Sequence, residues 1–410
     1  MPEDFPFKDF GSAQSFSDLR EFLQDHLLEH IVPFWTKHAV DPEGGLNTCI
    51  RDDGTLVSRD KWLWSQWRAV WVFSRLYNQI EKRPEWLDIA QGIYRFTSQH
   101  GWDDNIGGWR LLLSGDGEPL RGCESIYTEG FAISGMIELA KATGSAEVLA
   151  LARKTADQTL RRLEQPHDEI PHFPYPVPSG ARVHGIPMIF SLVFWELGQY
   201  LDHEPYREAA RKMSDEIFSN FYQPDLDLIV ERISADGSPL AAPLGTAVVP
   251  GHVIEDMWFQ IHIARDEKNR ARIEEAVRLT ERHAEVGWDS EYGGFFLAID
   301  AKNNPGIAWD SAEAKIWWPH TEALYTFLLA YEESQDSTFL DWYKRTHEYS
   351  FATFPDRDHG EWKQKLTRQG EPLKENVALP VKDPFHLPRA LLLCLEVLER
   401  LEDGAAPSRS

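Results

Sequence analysis

Asp289-Ser-Glu-Tyr-Gly-Gly294-Phe-Phe-Leu-Ala-Ile-Asp300 is the fullest copy of a loop signature that returns six times along a chain of 410 residues. The other copies read Asp41-Pro-Glu-Gly-Gly, Asp103-Asp-Asn-Ile-Gly-Gly, a degenerate Asp168-Glu, Asp225-Leu-Asp and Asp356-Arg-Asp-His-Gly. Successive aspartates are 62, 65, 57, 64 and 67 residues apart. That period is longer than those of the common open solenoids, and six copies suit a closed ring. About 45 residues separate neighbouring loops, room for two helices of ordinary length. In the first interval, residues 64–77 (Trp64 to Tyr77) are apolar nearly all round, as a helix buried on both sides must be. Residues 86–96 carry one polar face, as an outer helix would. The alternation continues through 131–139 and 147–163, 188–197 and 206–218, 257–264 and 271–283, 321–331 and 339–351, and finally 388–398. Residues 18–38 supply the helix that completes the sixth pair. The Gly-Gly loops, with turns at Asp52-Asp-Gly54, Asp116-Gly117, Asp236-Gly237 and Gln369-Gly370, read as short β-hairpins on one rim. The predicted fold is all-α: an (α/α)6 barrel in one domain over residues 1–403, with residues 404–410 as a fraying tail.

Composition narrows the partners. Forty-two Lys and Arg against 66 Asp and Glu leave a net charge of −24, which disfavours nucleic acid and anionic membranes. No run of 18 apolar residues and no leader-like apolar region occurs, so a cytoplasmic protein is expected. Cys49, Cys123 and Cys394 are far apart, without metal-ligand or disulfide spacing.

One polar residue follows each loop near the start of an inner helix: Arg68, Glu129, His184, His252, His320 and His386, spaced by 61, 55, 68, 68 and 66 residues. In a closed ring these positions converge on the axis, and imidazole is the side chain best matched to proton transfer near neutrality. Three imidazoles, His252, His320 and His386, could alternatively hold zinc. Arg68, on an apolar helix, needs an anionic partner, either a ligand or a carboxylate such as Glu129 or Glu322. Glu255 and Glu322 stand in first helical turns, where carboxylates also serve the helix dipole. Sixteen tryptophans accompany the series, and Trp318, directly before Pro319-His320, reads as a pocket wall suited to sugar C–H faces.

The segments Trp67-Arg68-Ala-Val-Trp71, Pro250-Gly-His252-Val-Ile-Glu255, Lys315-Ile-Trp-Trp-Pro-His320-Thr-Glu322-Ala and Phe385-His386-Leu-Pro-Arg389 resemble the N-acylglucosamine 2-epimerase family, in order, from about residue 20 to 400. The resemblance implies an (α/α)6 barrel that inverts sugars at C2, with His252 and His386 as the acid–base pair. Arg68, Tyr127, His184, Glu255, Trp318, His320, Glu322 and Arg389 would contact a free monosaccharide or amino sugar. It implies no cofactor for the chemistry and no metal. ATP-activated members carry a Gly-rich loop before the third inner helix; here that stretch is Pro171-His-Phe-Pro-Tyr-Pro-Val-Pro-Ser-Gly180-Ala-Arg182, which speaks against ATP as an activator. Outer helices offer a surface for a homodimer. Two other activities share the apparatus or the barrel: aldose–ketose isomerisation, which returns the proton to C1, and glycoside hydrolysis, which needs two carboxylates across the scissile bond. A non-catalytic sugar-binding barrel would lack convergent bases.

Overall fold

The computed structural model describes residues 5, 7–304, 306–373 and 380–404. The expected tail at 404–410 therefore falls, from residue 405 on, outside the described residues.

Six inner helices form the barrel wall: α3 (Leu63–Arg75), α5 (Tyr127–Thr143), α7 (Gly185–Tyr200), α9 (Pro250–Asp266), α11 (Trp317–Ser334) and α13 (His386–Glu402). Around them lie α1 (Ala13–His26) with its continuation α2 (Val32–His38), then α4 (Pro84–His100), α6 (Ala146–Leu163), α8 (Glu204–Glu216), α10 (Arg270–Gly287) and α12 (Thr338–Thr353). Each inner helix packs on its outer partner and on the next inner helix, and α1 backs α13 as the sixth pair. The ring closes between α13 and α3. Gln79 Nε2 donates to Leu392 O at 2.7 Å, Arg75 pairs with Glu396, and Trp71 meets Phe385 at 5.5 Å. The architecture is the (α/α)6 barrel.

Burial follows the sequence pattern. Residues 319–330 of α11 are buried without a break, because this helix faces core on both sides. On α6 only Val148, Ala152, Thr155, Ala156 and Thr159 are buried, one stripe at helical spacing. The Gly-Gly pairs are explained by backbone: Gly44, Gly45, Gly293 and Gly294 have φ of +119°, +74°, +76° and +72°, a region closed to most side chains. The signature aspartates anchor the rim. Asp41 accepts from Lys61 Nζ at 2.8 Å, and Asp289 accepts from Lys315 Nζ at 3.1 Å and Arg368 Nε at 2.8 Å.

The rim differs from the expected set of independent hairpins. Local hairpins exist, as at Trp102–Asp103 with Gly108–Trp109 and Tyr222–Gln223 with Leu228–Ile229. The strand that leads into an inner helix, however, pairs antiparallel with the following unit's loop. Lys61–Trp62 pairs with Leu112–Leu113, Ala181–Val183 with Arg232–Ser234, Ala247–Val248 with Ile299–Asp300, and Lys315–Ile316 with Lys365–Leu366. These pairings satisfy backbone groups across units and pin the inner helices' N-terminal ends, where the polar series stands. Among the described residues no helix is long and apolar enough to cross a membrane.

Candidate active site

The N-terminal ends of the inner helices surround a cavity of about 210 Å³. Of the residues singled out in the sequence, Arg68, Tyr127, His252, Glu255, Trp318 and His386 line it.

His252 is the third residue of α9, raised into the cavity by Pro250 in the first turn. Its Nδ1 lies 3.2 Å from each carboxylate oxygen of Glu231. A carboxylate only accepts, so Nδ1 carries the proton and Nε2 is left as the basic nitrogen. Glu231 is itself buried and held from behind by His184, whose Nδ1 is 3.8 Å from it and whose Nε2 is 2.8 Å from Asp256 Oδ2. Burial disfavours a charged imidazole, but the hydrogen bond to Asp256 and the nearby Glu231 carboxylate win and raise His184 to about 9. Burial likewise opposes ionisation of Glu231; the facing His252 and His184 hold it well below the usual carboxylate range.

His386 opens α13, and its backbone N–H, one of the helix's free N-terminal donors, donates to Asp383 Oδ2 at 3.0 Å. Its Nδ1 is 2.8 Å from Glu322 Oε1, so here too Nε2 is the free nitrogen. Glu322 stays ionised despite burial because Arg389 and His386 both face it. Arg389 donates through Nη2 to Glu322 at 2.6 Å and also to Glu255. Both imidazoles lie against one indole: Trp318 is 5.2 Å from His252 at an interplanar angle of 27°, and 5.6 Å from His386 at 37°. The two rings are therefore separated by no more than the sum of those distances.

Arg68 rests its guanidinium 3.9 Å from the centre of Phe131 and pairs through Nη1 with Asp383 at 3.0 Å. Its partner is thus neither Glu129, which pairs with Arg162, nor Glu322. Tyr127 sits beside the proline-rich stretch. His172 Nδ1 donates to Tyr175 O at 2.6 Å, so Nε2 must accept the Tyr127 hydroxyl proton.

Four expected sugar contacts stand elsewhere. His320 is fully buried; its Nδ1 donates to Ile316 O at 2.7 Å and its Nε2 accepts the Phe295 N–H at 2.8 Å. Both nitrogens are spent on backbone and burial lowers its pKa to about 3, so it serves the rim loop and not the cavity. The reason is helical phase: Trp318 faces the cavity, and two residues at 100° each turn His320 away. This also disassembles the three-imidazole zinc set. His184, Glu322 and Arg389 lie behind the lining residues and hold them in place. A smaller donor set, Glu255, Glu322 and His386, brings its ligand atoms within 4.8 Å of one another, but the Arg389 guanidinium already supplies the cation there.

Sequence reading missed Glu231, and with it His172, Tyr175, Arg232, Trp309 and Lys365, which also line the cavity. The one available signal was Val230-Glu231-Arg232, where charge interrupts an apolar strand.

Residues 44–390 match the profile of the N-acylglucosamine 2-epimerase (GlcNAc 2-epimerase) family. The chain is 31% identical over 393 residues to N-acylglucosamine 2-epimerase of Bos taurus, covering 93% of this chain and 92% of that one. Identity to the cellobiose 2-epimerase of Dictyoglomus turgidum is 26% over 396 residues, covering 93% and 99%. The cellobiose 2-epimerase of Spirochaeta thermophila superposes with a TM-score of 0.79 at 22% identity, covering 94% of this chain and 98% of that one, a likeness of fold. The chain belongs to the N-acylglucosamine 2-epimerase family and is a sugar 2-epimerase, an isomerase.

Proposed function

We propose that the chain interconverts a free N-acylglucosamine and the matching N-acylmannosamine, using Nε2 of His252 and Nε2 of His386 as the two bases. The observation that carries this reading is that each imidazole has its Nδ1 tied to a buried carboxylate, Glu231 and Glu322, while both rings line one cavity against Trp318.

The C2 proton of a closed pyranose is not acidic, so the ring opens first and exposes the C1 aldehyde. One imidazole then removes the C2 proton. The C–H electron pair forms the C1–C2 double bond, and charge moves onto O1 as an enolate (an enediolate when C2 bears a hydroxyl). Arg68, one of the cations lining the cavity, meets this charge, and low dielectric strengthens the interaction. The second imidazole, entering protonated, delivers its proton to the opposite face of C2 and inverts the centre. One proton leaves and one arrives, so the reaction draws on no electron or group acceptor, and ATP has no chemical part in it. The glucose/mannose pair shares the same steps and differs only in the group on C2.

The test is proton NMR of N-acetylglucosamine with the enzyme in heavy water, without nucleotide. The C2 signal should disappear as N-acetylmannosamine anomeric signals grow, with no ketose formed. A ketose product, or an absolute need for ATP, would overturn the reading.

A further inference from the structure

Beside His252 the cavity has a wall that proton transfer at C2 does not use. Arg232 follows Glu231 into the rim strand, and Trp309 descends from the loop before α11. Arg232 Nη1 donates to Ala308 O at 3.0 Å, and its guanidinium lies 5.2 Å from the centre of the Trp309 ring. Trp309 in turn packs on Tyr175 at 5.0 Å and meets His252 edge-on at 6.1 Å. The other two guanidiniums of the site are matched by carboxylates, Arg68 by Asp383 and Arg389 by Glu255 and Glu322. Among the described residues no carboxylate pairs with Arg232, and Ala308 O is its hydrogen-bond acceptor. A half-buried guanidinium with donors to spare, facing a cavity, calls for an acceptor from a ligand.

We propose that Arg232 and Trp309 form the subsite for the acyl group on C2, which makes the enzyme select N-acyl amino sugars over 2-hydroxy sugars. The inference rests on His252 being one of the two bases. A base removing the C2 proton must come within about 3–3.5 Å of that carbon. The amide on C2 therefore extends past His252, onto the residues that border it. The free N–H groups of Arg232 suit the acyl carbonyl, and the Trp309 face suits the acyl methyl group. A hydroxyl on C2 is too short to engage either.

The experiment measures binding, by calorimetry, of two unreactive open-chain ligands, 2-acetamido-2-deoxyglucitol and glucitol, to the full chain and to the Arg232→Gln and Trp309→Ala variants. The unaltered protein should prefer the acetamido compound by at least about tenfold, as a charge-assisted hydrogen bond and a buried methyl group together supply. In each variant the preference should shrink to about threefold or less, with glucitol affinity unchanged, which also shows that the site remains folded. No preference in the unaltered protein, a preference kept in both variants, or equal weakening of both ligands would overturn the proposal. Neither ligand has an acidic C2 proton, so failure of the two-base reading would show in turnover and leave these affinities as they are.

Discussion

Glu231 presents both carboxylate oxygens to His252 Nδ1 at 3.2 Å, and Glu322 meets His386 Nδ1 at 2.8 Å. The two supports are unlike in origin, since Glu231 precedes a rim strand and Glu322 belongs to α11. Their effect is the same: each fixes the tautomer that leaves Nε2 basic and steadies the imidazolium once it forms. Glu231→Gln keeps the shape but lets the amide present either a donor or an acceptor to the ring. It should lower kcat by about 10²-fold, within the span of general acid–base contributions, and leave KM nearly unchanged. Steady-state kinetics of epimerisation checks this; an unaltered kcat would contradict it.

His320 should behave otherwise. Its nitrogens serve Ile316 O and the Phe295 N–H, away from the cavity. Replacing it with Phe leaves that buried N–H unsatisfied, a loss of about 1–3 kcal/mol, seen as a lower urea midpoint. Folded protein should retain kcat/KM within about threefold, since no contact to the reacting sugar is lost. A thousandfold fall in kcat with normal stability would return His320 to the chemistry.

Arg389 compensates two buried carboxylates, Glu255 and Glu322. Arg389→Met leaves both uncompensated and should cost about 3–5 kcal/mol of unfolding free energy, measured by urea titration. For the same reason the Glu255–Glu322–His386 cluster needs no metal ion, and exhaustive treatment with a chelator should leave epimerase activity intact. Activity lost to chelation and restored by a divalent metal would contradict this.

The fold's acid limit follows from its histidines. Burial lowers His26, His262, His320 and His347 to about 3, and His167 and His283 to about 4. Each is neutral in the fold and protonated in the unfolded chain below its ordinary value near 6.5, so unfolding takes up protons and stability falls as pH drops through 6.5 toward 4. His184, raised to about 9, acts in the opposite sense: its contribution is complete below 6.5 and is lost as pH rises toward 9. His38 and His172 are lowered too and His359 is raised, so the lowered histidines outnumber the raised ones eight to two. Calorimetric unfolding at pH 5 should take up on the order of five protons from these side chains; an uptake near zero would contradict the assignment.

The barrel was legible because its cause is local. Gly-Gly loops need positive φ, and helices buried on two sides look different from helices buried on one, whatever their neighbours. The cross-unit strand pairs were not legible, since nothing in Lys315-Ile316 names Lys365-Leu366 as its partner. Within the site, a shared place in the repeat identified which helix ends meet, bringing in Arg68, His252 and His386. It did not give the angle at which each side chain leaves its helix, and so could not separate Trp318 from His320. Glu231, Arg232 and Trp309 lie on loops and strand ends outside the helical register, where only three-dimensional proximity to His252 marks them.

The most direct test of the two-base account follows deuterium at C2 in His252→Asn and His386→Asn, starting separately from N-acetylglucosamine and N-acetylmannosamine in heavy water. Each variant should lose epimerisation yet still exchange the C2 proton of one epimer, and the two variants should exchange opposite epimers. Full C2 exchange of both epimers in both variants would show that neither imidazole is the base.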